Sequence, residues 1–279
     1  MRQPCVGVFD SGVGGLSVLR SLRSQLAQAP LLYVADSAHA PYGERSDAYV
    51  LDRSMRIMEH LMSQGAIGLV IACNTATAVA VKALRARWPE FPIIGVEPGI
   101  KPAVAASRNG RVGVMATPKT IASEKFRSLM KAQSAGAQII AQPCPGLARL
   151  IEEGDLTSAQ MRQAVAQHTA PLRQAGVDTV VLGCTHYPFV RHLIEEAMGP
   201  DVQIIDTADA VARHAGNTLL GLLPREAQPS AVLQTTGDVQ RLEAIASAWL
   251  TFPCTVEPTG NAAAASPIGN VSLSPPPLP

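Results

Sequence analysis

The sequence predicts an α/β protein built from a duplicated parallel-sheet domain. Three observations lead there. Short apolar runs alternate with stretches that carry apolar residues at helical spacing, the pattern of βαβ units. Four of these runs recur in the same order, 106 to 111 residues later. One recurring run carries a cysteine at its carboxyl end in both copies: GLVIACNTAT at Gly68–Thr77 and TVVLGCTHYP at Thr179–Pro188.

Taken in order, Cys5–Phe9 is an apolar run that feeds the turn DSGVGGLS (Asp10–Ser17) and a helical pattern over Leu16–Leu26. Leu31–Ala35 is a second strand, followed by YVADSAHAPYGERS (Tyr33–Ser46) and a helix over Tyr49–Met62. Gly68–Ala72 is the third strand and Ala76–Ala86 its helix; Ile93–Val96 is the fourth, and the first copy ends near Pro98. The second copy offers strands at Arg111–Met115, Ala137–Ala141, Thr179–Gly183 and Val202–Ile205, with helices over Ser123–Ala132 and Ser158–Ala175, and ends near Asp206. VGVFDSG at Val6–Gly12 matches VGVMATP at Val112–Pro118, an offset of 106, and Leu31–Asp36 against Ala137–Gln142 gives 106 again. The cysteine runs and the pairs Ile93-Ile94 and Ile204-Ile205 are offset by 111. Residues from about Ala208 to Pro258 are expected to supply helices and one further strand, packed back on the first half. The domains are thus residues 1–97 plus about 208–259, and residues 98–207. Residues 260–279, rich in Ala, Ser and Pro, read as a disordered tail.

Composition narrows the function classes. A chain that is 47% hydrophobic and 16% charged buries a sizeable core. Its net charge of +1, without a basic run, argues against nucleic acid as the main partner. The five cysteines are odd in number and widely spaced, with no C-x-x-C, which points to a reducing compartment and away from a disulfide framework or a zinc site. No signal-like start and no apolar window of membrane-span length occurs, so a cytoplasmic protein without a membrane partner is expected.

The two matched cysteines, Cys73 and Cys184, sit where ligands gather in parallel sheets, just beyond the carboxyl ends of strands. Cys5, Cys144 and Cys254 read as buried core residues. A strand end that feeds a helix N-terminus favours thiolate over thiol and also binds anions. Two equivalent thiols facing one substrate suit inversion of a carbon, one removing a proton and the other returning one. His186 either exchanges a proton with Cys184 or is a loop histidine held by a hydrogen bond. DSGVGGLS lacks the P-loop lysine and a clean dinucleotide fingerprint. Its glycines read as turn formers, and Asp10 and Ser11 as lining the crevice of Cys73. Asp36 and the loop Pro41-Tyr42-Gly43 lie at the same sheet edge and supply a substrate wall. Ser11, Asn74, Thr75, Thr117 and Thr185 offer hydroxyls and amides instead of arginines, which suits a small zwitterion better than a polyphosphate.

The segments VGVFDSGVGGLSVLR, YVADSAHAPYGERS, IACNTATA, GVEPGIKPA, VGVMATPKTI and LGCTHYPF resemble, in order, the motif series of the glutamate racemases, within the aspartate/glutamate racemase superfamily. The resemblance spans about Val6 to Ala210. It implies two pseudo-symmetric α/β domains with the active site in the cleft between them, no cofactor and no metal, and interconversion of L- and D-glutamate for peptidoglycan synthesis. It implies that Cys73 deprotonates D-glutamate and Cys184 L-glutamate, assisted by Asp10 and His186, with Asp36 and Glu152 where further acidic residues of the family lie. It assigns substrate contacts to Asp10, Ser11, Pro41, Tyr42, Gly43, Asn74, Thr75, Thr117, Thr185 and His186, and implies a homodimer. The residues alone leave open a racemase of aspartate, a one-thiol enzyme of the same fold, and a two-lobed binder of acidic amino acids. The Pro-rich tail departs from the family pattern.

Overall fold

A computed structural model describes residues 3–133, 136–224 and 226–260. The first part of the chain runs β1 (Cys5–Asp10), α1 (Leu16–Gln25), β2 (Pro30–Ala35), α2 (Asp47–Ser63), β3 (Ala66–Ile71), α3 (Asn74–Arg87) and β4 (Ile93–Gly95). After α4 (Ile100–Ala106) come β5 (Arg111–Ala116), α5 (Pro118–Ala122), α6 (Glu124–Gln133), β6 (Gln138–Pro143), α7 (Leu147–Glu153) and α8 (Ala159–Gln174). The chain continues through β7 (Thr179–Leu182), α9 (Arg191–Met198) and β8 (Gln203–Ile205). It closes with α10 (Ala208–Leu219), β9 (Ser230–Thr235), α11 (Val239–Trp249) and β10 (Thr255–Pro258). No helix among the described residues is long and apolar enough to cross a membrane.

The strands form two sheets, β10-β9-β2-β1-β3-β4 and β6-β5-β7-β8, with every pairing parallel. The order β2-β1-β3-β4 is repeated as β6-β5-β7-β8. Registers repeat as well: Gly7 pairs with Leu69 as Gly113 pairs with Val180, and Leu69 with Ile93 as Val180 with Ile204. One offset needs correction. Val6 pairs with Leu31, but Val112 pairs with Ile139, so the counterpart of Leu31 lies 108 residues on, not 106. The two extra residues fall where the short helices α5 and α6 stand in place of α1. A slip of two leaves each side chain on its own face, so the apolar pattern tolerates it.

The segment after Ala208 returns to the first sheet with two strands, where one was expected. β10 escapes notice because TVEP is short, only partly buried and forms the sheet edge, where proline is tolerated. Both faces of the central strands are buried, as parallel sheets require. Along β3, Leu69 and Ile71 face a core with Phe9 and Ile57, while Val70 and Ala72 face a second core. That second core continues through Leu16 and Leu19 of α1 to Val180 and Leu182 of β7, so it is shared by the two sheets. A third core, with Val112, Val114, Phe126 and Val181, covers the far side of the second sheet. The sheets are held back to back by common packing, and their carboxyl ends meet. Residues 261–279, which contain all but the first residue of the expected tail, lie outside the described residues.

Candidate active site

Cys73 follows β3 by two residues, and Cys184 follows β7 by two. The repeated register puts both thiols at the same height, at the carboxyl edges of the two sheets. They are 5% and 6% exposed, so each is sealed from bulk water.

Their surroundings differ. Cys73 is the N-cap of α3: its Sγ accepts from the Ala76 N–H at 3.4 Å and lies 3.6 Å from Ser11 Oγ. Cys184 does not cap an α-helix. Tyr187–Val190 forms a 3₁₀ turn containing Pro188, and α9 begins only at Arg191. Proline offers no N–H to close a helical turn. Cys184 Sγ instead lies 3.7 Å from His186 Nδ1, while His186 Nε2 is 2.5 Å from Glu152 Oε1. Glu152, in α7, also accepts from the Val13 N–H at 2.7 Å. A line of polar contacts thus runs from thiol to imidazole to carboxylate.

Asp10, at the end of β1, is fully buried. It accepts from the Gly12 N–H at 2.9 Å and from Thr185 Oγ1 at 2.9 Å, which ties the first sheet to the loop carrying Cys184. The DSGVGG turn is shaped by what it touches. A Cβ on Gly12 would fall 1.8 Å from Glu152 Oε1, and one on Gly14 2.5 Å from His186 Nδ1. These glycines therefore do more than form a turn: they let the backbone close on the imidazole and the carboxylate.

Burial and charge set the protonation preferences. Burial, aided by Asp10, pushes the Cys73 thiol up to about 12. Burial also raises the Asp10 carboxyl, against the opposing pull of His186. Burial pulls the His186 imidazole down, but contacts with Cys184 and Glu152 outweigh it and hold the ring well above its ordinary range. Glu152 is held below its ordinary value, because His186, the Val13 N–H and Arg241 outweigh its burial. The resting cleft thus keeps Cys73 as a thiol and favours the protonated ring of His186.

Hydroxyls meet across the cleft. Thr75 Oγ1 lies 3.1 Å from Thr117 Oγ1, which caps α5 and contacts Thr120 Oγ1 at 2.9 Å. Gly43 packs so closely on Thr117 that a Cβ there would sit 3.1 Å away. Asn74 Oδ1 is buried with no hydrogen-bond partner, which leaves an acceptor unpaired beside Cys73. Such an atom costs about 1–3 kcal/mol until something pairs with it.

Asp36 sits differently from the other acids. Arg53 grips both its oxygens, at 3.0 and 2.8 Å, and Tyr42 Oη and Thr236 Oγ1 donate to it at 2.5 and 2.9 Å. With both oxygens engaged, Asp36 anchors Tyr42 and the loop from Pro41 to Gly43. Arg53 and Thr236 were not anticipated. Arg53 had a signal: it lies three residues after Val50 and four before Ile57, on the buried stripe of α2, where a charge demands a partner. Cys5 and Cys144 are core residues as expected, but Cys254 is partly exposed, because its segment runs along the sheet edge.

Known proteins resemble this chain in sequence and fold. The profile of the Asp/Glu/Hydantoin racemase family matches residues 6–215. The glutamate racemase of Ectopseudomonas mendocina is 49% identical over 246 residues, covering 87% of this chain and 93% of its own. A Bacillus anthracis glutamate racemase superposes with a TM-score of 0.84 at 33% identity, over 94% of this chain and 99% of its own. The Escherichia coli glutamate racemase, solved with L-glutamate and an activator, UDP-MurNAc-Ala, superposes at 0.81 and 29% identity, over 92% and 98%. The chain belongs to the Asp/Glu/Hydantoin racemase family, and it is an isomerase.

Proposed function

We propose that this isomerase interconverts L- and D-glutamate by two-thiol proton transfer, without a cofactor. The observation that carries the reading is the pair of buried thiols at equivalent strand ends, each with its own proton-handling partners. In the L-to-D direction Cys184, steadied by the His186 imidazolium, takes the α-proton. Cys73, held as a thiol, gives its proton to the opposite face. In reverse Cys73 is the base. A thiolate whose conjugate acid lies near 12 is a far stronger base than a free one at ~8.5. That strength matters, because an amino-acid α-proton is a very weak acid.

Ser11, Asn74, Thr75, Thr117 and Thr185 are proposed to hold the substrate, with Asn74 Oδ1 pairing with a substrate N–H and the α3 N-terminus facing a carboxylate. Pro41, Tyr42 and Gly43 form the wall that measures side-chain length, braced by Asp36. Asp10 steadies Thr185 across the cleft and weighs on Cys73. Preorganised donors stabilise charge that develops in the transition state, and the closed cleft keeps the carbanion from water. The E. mendocina relative, and the E. coli protein bound to L-glutamate, support glutamate as substrate. The family resemblance supports a role in peptidoglycan synthesis, a cytoplasmic setting and a homodimer. The two sheets support a division into residues 1–97 plus about 208–259, and residues 98–207.

The test is circular dichroism of L-glutamate and L-aspartate incubated with the wild-type chain, with the α-proton followed by NMR in D₂O. Glutamate should lose its rotation and its α-proton signal while aspartate keeps both. Loss from aspartate alone would overturn the substrate, and loss from neither would leave a binding protein.

A further inference from the structure

Two-thiol inversion has a proton debt that the reaction itself does not settle. When Cys184 takes the α-proton, the Cys184–His186 pair holds one proton too many, and Cys73 has one too few. The next turnover in that direction waits until the excess leaves. The structure treats the two sides unequally. Beside Cys73, Asp10 and Ser11 are 0% and 3% exposed. Beyond His186, the Glu152 side chain keeps 13% exposure and forms part of the wall of a cavity of about 470 Å³. That cavity is bounded by the loop that carries Pro41 and Glu44, by α7, and by Asp238 and Arg241 at the start of α11. The α11 segment has no counterpart in the second repeat. The extra C-terminal stretch therefore builds one wall of this cavity on the Cys184 side.

We propose that the cavity is a proton port: the Cys184–His186 pair discharges through Glu152 into its water, so the excess proton leaves on the Cys184 side. The inference rests on the two-thiol reading. The bond from His186 Nε2 to its proton breaks and an O–H bond forms at Glu152 Oε1. That bond breaks in turn as the proton passes to water. Nothing is oxidised or reduced, the pair regains its resting proton count, and Cys73 takes its missing proton from water that enters the cleft as the product leaves. The 2.5 Å contact between Nε2 and Oε1 suits the first transfer, and a carboxylate at the cavity wall suits the second. Glu152 is a relay here; it need not touch substrate. Arg45, Arg149 and Arg241 line the same cavity together with the acids Glu44, Glu153 and Asp238. Glu44 pairs with Arg149, and Asp238 is committed to capping α11. A small carboxylate entering from solvent would meet Arg45 and Arg241.

This gives a test that a merely structural Glu152 would not satisfy. Glu152→Ala opens the cavity onto His186, and Glu152→Gln keeps the shape but cannot carry a proton. Both should lower kcat for L-to-D turnover by about 10²-fold. Sodium acetate or formate should restore Glu152→Ala with a saturating dependence, leaving wild type and Glu152→Gln unmoved. The proposal is overturned if Glu152→Gln turns over at the wild-type rate, or if acetate and formate leave a folded Glu152→Ala unchanged. A wild-type chain that inverts no amino acid would instead sink the racemase reading, and the same assay reports it.

Discussion

At the residue scale, the chemistry depends on how a few buried groups are paired. His186 leans toward its protonated form because Cys184 and Glu152 together outweigh the cost of burial. The sign of a substitution follows. Glu152→Gln removes one of the influences that raise the imidazole, so the His186 pKa should fall. An ¹⁵N NMR titration of the ring should show that lower midpoint, and the alkaline limb of L-to-D turnover should move down in pH with it. An unchanged midpoint would mean that Cys184 alone holds the proton. The placement of the two thiols, Asp10 and His186 at or just beyond strand ends was legible in the sequence, because the polar residues follow apolar runs directly. The role of Asp36 was not legible. Its partners, Arg53 in α2 and Thr236 after β9, come from distant stretches of the chain, and no local pattern joins residues 17 and 200 positions apart.

At the element scale, the DSGVGG turn is the part most tightly fitted to the site. Gly12 has ordinary backbone angles, so alanine is excluded only by what its Cβ would meet, the Glu152 carboxylate at 1.8 Å. Gly12→Ala should therefore displace Glu152 and cost about 1–3 kcal/mol, the range for overpacking. In a Glu152→Ala background the same change should cost much less, since the clashing atoms are gone. Denaturant unfolding of the two single variants and the double variant measures that coupling. Additive losses would mean that Gly12 serves the turn itself. The strands were read nearly to the residue, because apolar runs buried on both faces announce themselves. The helices beside the second cysteine were not. Pro188 delays α9 until Arg191, which leaves Cys184 without the helix N-terminus that Cys73 enjoys. The pseudo-symmetry is therefore exact in strand order and broken at the thiols, where an imidazole replaces a helix cap.

At the scale of the whole molecule, two sheets share a core and bring their carboxyl edges together over a closed cleft. Contacts across it come from both halves: Asp10 with Thr185, Thr75 with Thr117, Lys119 with Asp47. The exposed ion pair adds at most about 1 kcal/mol; the buried hydroxyl and carboxylate contacts set the geometry. The repeat was legible because a period in sequence becomes a period in topology. The use of the C-terminal return was not, since it repeats nothing and β10 is too short to read. The central claim is that both halves contribute a base. Following the α-proton of L-glutamate by NMR in D₂O, with rotation in parallel, tests it in Cys73→Ala and Cys184→Ala. Neither variant should invert glutamate, and Cys184→Ala should also leave the L-glutamate α-proton in place. Inversion at the wild-type rate by either variant would contradict two-thiol racemisation.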